Sequence, residues 1–280
     1  MKCPEYVSPD FIKLVLSEDI GRGDITTSLI ENSGRNGNAV IKAKEDLVLC
    51  GVDLAVYVFK FIDDSLKVKV DIQDGAKISA GTVIMSVSGN SGSILKAERT
   101  VLNFLQRLSG IATLTSKYVK EVDKKSKTKI TDTRKTTPGW RTLEKYAVRI
   151  GGGSNHRFGL DDGIMIKDNH IAMAGSIDKA VRSVRSKAHH LLKIEVETSN
   201  LTEVKEALKS KADVIMLDNM SVDMMSKAIE LISGKAVVEI SGGVTLEKIN
   251  ELSKLGADFI SVGAITHSAV AKDINLTLKI

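Results

Sequence analysis

From Lys129 onward the sequence settles into short apolar runs separated by amphipathic segments, a rhythm that few architectures accommodate. The clearest runs are residues 194–196, 214–217, 237–240 and 259–262. Their starts lie about twenty residues apart, enough for a strand, a helix and two short loops. Between them, apolar residues recur at helical spacing: Leu201, Val204, Leu208; then Val222, Met225, Ile229, Ile232; then Leu246, Ile249, Leu252, Leu255. Earlier runs at 128–133, 147–150 and 164–166 bring the expected strands to about seven. Alternating strands and helices require a parallel sheet, either a barrel or a doubly wound sheet. Periodicity leaves both open, although no GxGxxG or Walker sequence favours the open sheet.

The first hundred residues follow another pattern. Residues 10–16 have the spacing of a short helix, and GRGDITT (21–27) reads as a loop in which Asp24 caps or turns the backbone. Alternating residues at 39–43 and 47–49 predict strands, and 52–61 predicts a helix. Strands at 66–72 and 82–87 flank an Asp74–Gly75 turn. The sum is an α+β domain with an antiparallel sheet. Residues 94–109 predict a strong helix, with Leu95, Leu102 and Leu105 on its apolar face and Val101 and Leu108 at the border. Arg99 sits at the edge of that stripe, where a snorkelling surface arginine is the ordinary reading.

Composition narrows the classes of function. The net charge of +5 suits an anionic substrate, but aromatic residues are only 4% and the cations are scattered, which argues against nucleic acid. No apolar run approaches a membrane span and MKCPEYVSPDF has no signal-peptide core, so a cytoplasmic protein is expected. Cys3 and Cys50 fit no metal-ligand spacing and are expected as thiols in a reducing compartment.

In a barrel, residues just past each strand's carboxyl end face one mouth. In chain order these are Arg134 and Lys135, His156 and Arg157, Lys167, Glu197, Asp218, Ser241–Gly242–Gly243, and Gly263. Cations beside the flexible 151–153 glycines suit a small substrate with several negative charges. Strand-end carboxylates often cap the next helix. Two successive ones, Glu197 and Asp218, favour Mg²⁺, which uses few carboxylates together with phosphate oxygens and water. Glu195 lies on the same strand face as Glu197 and is expected deeper, paired with a lysine. Asp168 and Asn169 are expected to support Lys167, and His170 to be structural. ISGGV (240–244) runs into glycines and then a helix that Thr245 or a neighbour is expected to cap. With SVGAI (261–265) one unit later, it forms a candidate phosphate clamp.

Three blocks, DTRKTTPG, GGGSNHRFGL and IKDNHI, closely resemble the quinolinate phosphoribosyltransferase family, also called nicotinate-nucleotide pyrophosphorylase (carboxylating). The resemblance runs from GRGDITT to SVGAITHSA. Trp140 departs from it, standing where the family more often has a smaller aliphatic residue. The resemblance implies an incomplete, seven-stranded α/β barrel (110–268) with an N-terminal α+β sandwich domain (1–109) on which a tail, 269–280, packs. It implies transfer of phosphoribosyl from phosphoribosyl pyrophosphate to quinolinate with decarboxylation, giving nicotinate mononucleotide in NAD biosynthesis. The implied catalytic residues are Lys135, Lys167, Glu197 and Asp218, with Mg²⁺ at the two carboxylates. Quinolinate is expected at Arg134, Lys135, His156, Arg157 and Lys167. Thr133, Ser241, Gly242, Gly243, Val262, Gly263 and Ala264 complete the substrate contacts. Arg99, in ERTVLN, is implied to reach the neighbouring subunit's site in a homodimer with shared active sites, with the dimer and a hexamer of dimers both left open.

Rival readings are a nicotinate phosphoribosyltransferase of the same fold, a molybdate-transport relative, and a non-catalytic anion-binding protein. The intact NHR and KDNH patterns oppose the second, and retained carboxylates and glycine turns oppose the third. A type I phosphoribosyltransferase is disfavoured, because no Thr–Gly loop follows Asp63–Asp64.

Overall fold

The computed structural model describes residues 4–30 and 34–280, which leaves Cys3 outside the described residues. Its chain divides into two compact units. The first comprises residues 1–116, 137–152 and 268–280, and the second 117–136 and 153–267.

In the first unit, helix α1 (Pro9–Ile20) starts where Ser8 accepts a hydrogen bond from the Phe11 amide, with Pro9 at its first turn. Helix α2 (Ile25–Leu29) occupies part of the expected 21–27 loop. Asp24 caps it by accepting from the Thr27 amide at 3.0 Å, which gives this residue a structural role. Strands β1 (Asn36–Ala43) and β2 (Leu47–Val48) precede helix α3 (Val52–Ile62). Asp74, in the expected turn, accepts from the Gly51 and Val52 amides at 3.0 and 2.9 Å and so satisfies the start of α3. Strands β3 (Lys67–Val70), β4 (Lys77–Ile78) and β5 (Val83–Asn90) lead into helix α4 (Ser91–Glu121).

Helix α4 is twice the expected length, because nothing after Ser109 breaks it. Gly110 is a packing glycine: a Cβ there would lie 2.3 Å from the Val270 carbonyl. Its buried face is Ile94, Ala97, Val101, Leu102, Phe104, Leu105 and Leu108, whereas Leu95 is exposed, contrary to expectation. Residues 147–150, expected as a strand, close helix α5 (Arg141–Ile150) instead. Leu143, Ala147 and Val148 bury one helical face, and a four-residue apolar run cannot distinguish that from a strand. Glu144 on α5 is wholly buried, but Arg107 pairs with it at 2.9 Å and Thr137 donates to it twice. Trp140, the departure from the family pattern, packs its ring 5.0 Å from Phe104 and 6.3 Å from Phe11.

The second unit is a parallel sheet of β6 (Lys129–Thr131), β7 (Ile164–Ile166), β8 (Ile194–Thr198), β9 (Val214–Asp218), β10 (Val237–Ser241) and β11 (Phe259–Ser261). Their order is β6-β11-β10-β9-β8-β7. Helices α6 (Asp168–Ala174), α7 (Ile177–Arg185), α8 (Leu201–Lys209), α9 (Val222–Ile232), α10 (Ile249–Ser253) and α11 (Ala264–His267) alternate with them. The seventh position is not 147–150 but a single parallel bridge from Thr131 to Ser154, beside β6. Among the described residues no ladder joins that bridge to β7, so the α/β barrel is not closed. Finally, β12 (Ile274–Lys279) returns to the first unit and pairs antiparallel with β1, completing the sheet β12-β1-β5-β3. Segment 137–152 thus belongs to the first unit rather than to the expected 110–268 barrel.

Candidate active site

The carboxyl ends of the parallel strands enclose a cavity of about 680 Å³ that lies wholly within the second unit. It brings together Thr133, Arg134, Lys135, His156, Arg157, Lys167, Glu197, Asp218, Ser241, Gly242, Gly243, Val262, Gly263 and Ala264. Of the residues expected from the sequence to bind substrate or act in catalysis, Arg99 does not line it; it is exposed on α4, in the first unit.

The cationic side is built on the ends of β6, the Ser154 bridge and β7. Asp132, fully buried, accepts from the His156 amide at 2.9 Å and the Asn155 side chain at 2.6 Å, tying the NHR segment to β6. Lys135 is held by its backbone: its amide donates to Thr133 Oγ1, and its carbonyl accepts from the buried Thr266 hydroxyl at 2.7 Å. Its stem lies against Gly263, where a Cβ would come within 3.0 Å of the lysine Cδ. Arg157 donates to the Gly163 carbonyl at 2.8 Å, and partial burial, followed by the nearby Arg134 charge, lowers its pKa. Lys167 forms an ion pair with Glu197. Its amide donates to His170 Nδ1, which confirms a structural histidine. Asp168 accepts from the Asn169 amide, and the support of Lys167 falls to His170.

His156 is engaged at both ring nitrogens. Nδ1 accepts from the Arg157 amide at 2.7 Å, which leaves the ring hydrogen on Nε2. That nitrogen stands 3.1 Å from Glu195 Oε2 and 3.5 Å from Glu239 Oε1. The partner of Glu195 is therefore a histidine rather than the expected lysine. Glu195 and Glu239 are 7% and 4% exposed, and the Oε1 atom of each makes no hydrogen bond. Burial, then the charge of Glu195, pushes the Glu239 carboxyl up to about 7.

The opposite side is backbone. Gly242 and Gly243 turn with φ of +85° and +56°, after β10. Asn219, itself left-handed at +54°, donates its amide to the Ser241 carbonyl at 3.0 Å and its side chain to Asp218 at 2.6 Å. This links the β9 carboxylate to the glycine turn. Thr245 occupies the cap position of the next turn, but its side chain makes no capping bond.

Glu239, Asn219 and His267 also line the cavity and escaped the sequence reading. Glu239 was accessible in principle, since it stands two residues before Ser241 and shares its strand face.

A cationic wall facing two glycine turns, with carboxylates between them, defines an α/β protein built to hold a substrate of several negative charges. The chain belongs to the quinolinate phosphoribosyltransferase family. Residues 24–109 match the model of its N-terminal domain, and residues 111–277 match that of its C-terminal domain. The chain is 46% identical over 269 residues to a probable nicotinate-nucleotide pyrophosphorylase [carboxylating] of Synechocystis, covering 95% of this chain and 90% of that protein. A Bacillus subtilis protein of the same description is 44% identical over 259 residues, 92% of this chain and 89% of its own. The crystal structure of NadC from Streptococcus pyogenes superposes with a TM-score of 0.94 at 39% identity, covering 100% of this chain and 99% of that one.

Proposed function

We propose that this protein transfers phosphoribosyl from phosphoribosyl pyrophosphate to quinolinate with decarboxylation, yielding nicotinate mononucleotide, pyrophosphate and CO₂ for NAD biosynthesis. The observation that carries this reading is the convergence of Arg134, Lys135, Arg157 and Lys167 with the 241–243 and 262–264 turns in one cavity. Quinolinate is a small dianion, and charge-assisted contacts from several cations select it over a monoanion. The pyridine nitrogen attacks the ribose carbon as pyrophosphate departs, so no protein nucleophile is needed. Lys135 and Lys167 stabilise the charge that develops. Backbone amides of the glycine turns take the phosphate monoester. When CO₂ leaves, the electron pair stays on the carbon beside the positively charged ring nitrogen, a step that a cationic pocket favours, and that carbon then takes up a proton from solvent.

Glu197 and Asp218 suit Mg²⁺ by their chemistry: two hard carboxylates on adjacent strands lining a cavity fit for phosphates. The ion, when bound, neutralises pyrophosphate charge. The same reading includes a homodimer in which Arg99 is supplied by the partner. Its support is that Arg99 is exposed on the part of α4 that belongs to the first unit, and so is not among the residues lining the cavity. A cytoplasmic location also belongs to the proposal. It is supported by the free, buried thiol of Cys50, while some plant relatives are named as mitochondrial or chloroplastic. No helix among the described residues is long and apolar enough to cross a membrane.

The test is release of pyrophosphate and CO₂ with quinolinate against nicotinate, with Mg²⁺ and with excess chelator. Equal turnover of nicotinate, or full turnover in chelator, refutes the reading.

A further inference from the structure

We propose that Glu239 works as a neutral acid, and that its proton is what lets the floor of the cavity accept a doubly charged substrate. The inference rests on the reading of that substrate as quinolinate and concerns a residue which that reading leaves without a role.

Charge on the cavity makes the case. Its lining holds four cations, Arg134, Lys135, Arg157 and Lys167, against three carboxylates, Glu197, Asp218 and Glu239. Glu195 and Asp132 lie buried directly behind. His156 stands between these acids, its Nδ1 accepting the Arg157 amide and its Nε2 facing Glu195. With every carboxylate ionised, the five acids of this neighbourhood outnumber its four lysines and arginines before a dianion enters. A buried carboxylate in that position opposes the substrate, whereas a neutral carboxyl does not.

The proton is best placed on Glu239. The groups facing it are Glu195 from β8, Asp132 and His156 from the segment beyond β6, and the Ser261 hydroxyl from β11. Its register partner on β9 is Met216, which carries no charge. Among the described residues no lysine or arginine pairs with it, and its Oε1 makes no hydrogen bond although the side chain is buried. Glu195, by contrast, already holds the His156 Nε2 hydrogen. The Glu239 carboxyl titrates at about 7 in the free protein, chiefly through burial and then through Glu195. A dianion nearby raises it further, so binding above that pH draws in a proton. Affinity is then complete below about pH 7 and declines as the pH rises.

Calorimetry of quinolinate binding at about pH 8, in two buffers of different ionisation enthalpy, reads this directly. The free ligand's carboxylates are already ionised there. The expected result for the wild type is uptake of about one proton per quinolinate, with Kd rising up to about tenfold per pH unit above 7. Glu239→Gln should bind without uptake and with a Kd flat over the same range. Wild-type binding without proton uptake overturns the proposal, and so does a Gln variant that keeps the uptake and the slope. The wild-type buffer pair decides the matter alone if the variant does not fold. Carbon dioxide release measured on the same preparation separates the two readings: turnover with no proton uptake refutes this inference only. Neither binding nor turnover at any pH removes the substrate assignment, and this inference with it.

Discussion

The glycine turn after β10 allows a sharp comparison between two neighbouring alanine substitutions. A Cβ at Gly242 would lie 2.3 Å from Asn219 Oδ1 and 2.6 Å from the Asn219 backbone nitrogen. A Cβ at Gly243 meets nothing nearer than Asn219 Oδ1 at 4.0 Å. Both residues have positive φ, so each alanine carries a left-handed penalty of about 1–2 kcal/mol. Gly243→Ala should show that term alone. Gly242→Ala adds an overlap of the kind that typically destabilises by about 1–3 kcal/mol. Rotating the Asn219 side chain away relieves part of it but breaks its hydrogen bond to Asp218, and the backbone nitrogen cannot rotate away at all. The expected totals are about 1–2 kcal/mol for Gly243→Ala and about 2–5 kcal/mol for Gly242→Ala. Urea unfolding gives the stabilities, and the KM for phosphoribosyl pyrophosphate reports the turn itself, which should suffer more in Gly242→Ala. Adding Asn219→Gly to Gly242→Ala should recover only the side-chain share. Equal destabilisation by the two alanines would refute the argument that Asn219 packs against this turn.

Lys135→Ala and Arg157→Ala should each weaken quinolinate use by about 1.5–3 kcal/mol, roughly ten- to 150-fold in kcat/KM, with little change in melting temperature; a large thermal loss at normal affinity would mark them as structural. Arg99→Ala and Lys135→Ala should each lose about tenfold or more alone, yet rise to about one quarter of wild-type activity after subunit exchange, because half of randomly paired dimers carry one intact site of two. No recovery after proven exchange removes the trans role of Arg99. The raised Glu239 carboxyl also affects folding: its contribution is fully present below its ordinary value of 4.5 and lost as pH rises through about 7, on the order of 3 kcal/mol. Glu239→Gln should therefore gain stability relative to wild type between about pH 5 and 8 in urea melts; an unchanged difference across that range contradicts the burial argument.

Much of this architecture was legible because the buried parallel strands are short, continuous and evenly spaced. Residues 194–196, 214–217, 237–240 and 259–262 each fall within a strand or extend one residue past its end. The failure at 147–150 has a plain cause: four apolar residues fit a helix end as well as a strand, and Glu144 and Arg107 bury the other side of that helix through a long-range pair. The site was readable where charges terminate strands. Where a charge sits within one, its partners were not readable. Glu239 stands in an apolar run, and its environment is made by Glu195, His156 and Asp132, which are distant in sequence. Likewise Asn219 reads as an ordinary loop residue until its left-handed backbone meets Gly242.

The pairing of β12 with β1 has a consequence for how the chain is made. During synthesis the first unit emerges early, but β1 is without one of its two neighbours until residues 274–279 follow, after the whole second unit. Throughout that interval β1 presents an unpaired backbone edge from Asn38 to Ala43. Such an edge invites a strand from another nascent chain. Chains released before β12 is complete should therefore associate through this edge, while the largely contiguous parallel unit has already acquired its sheet.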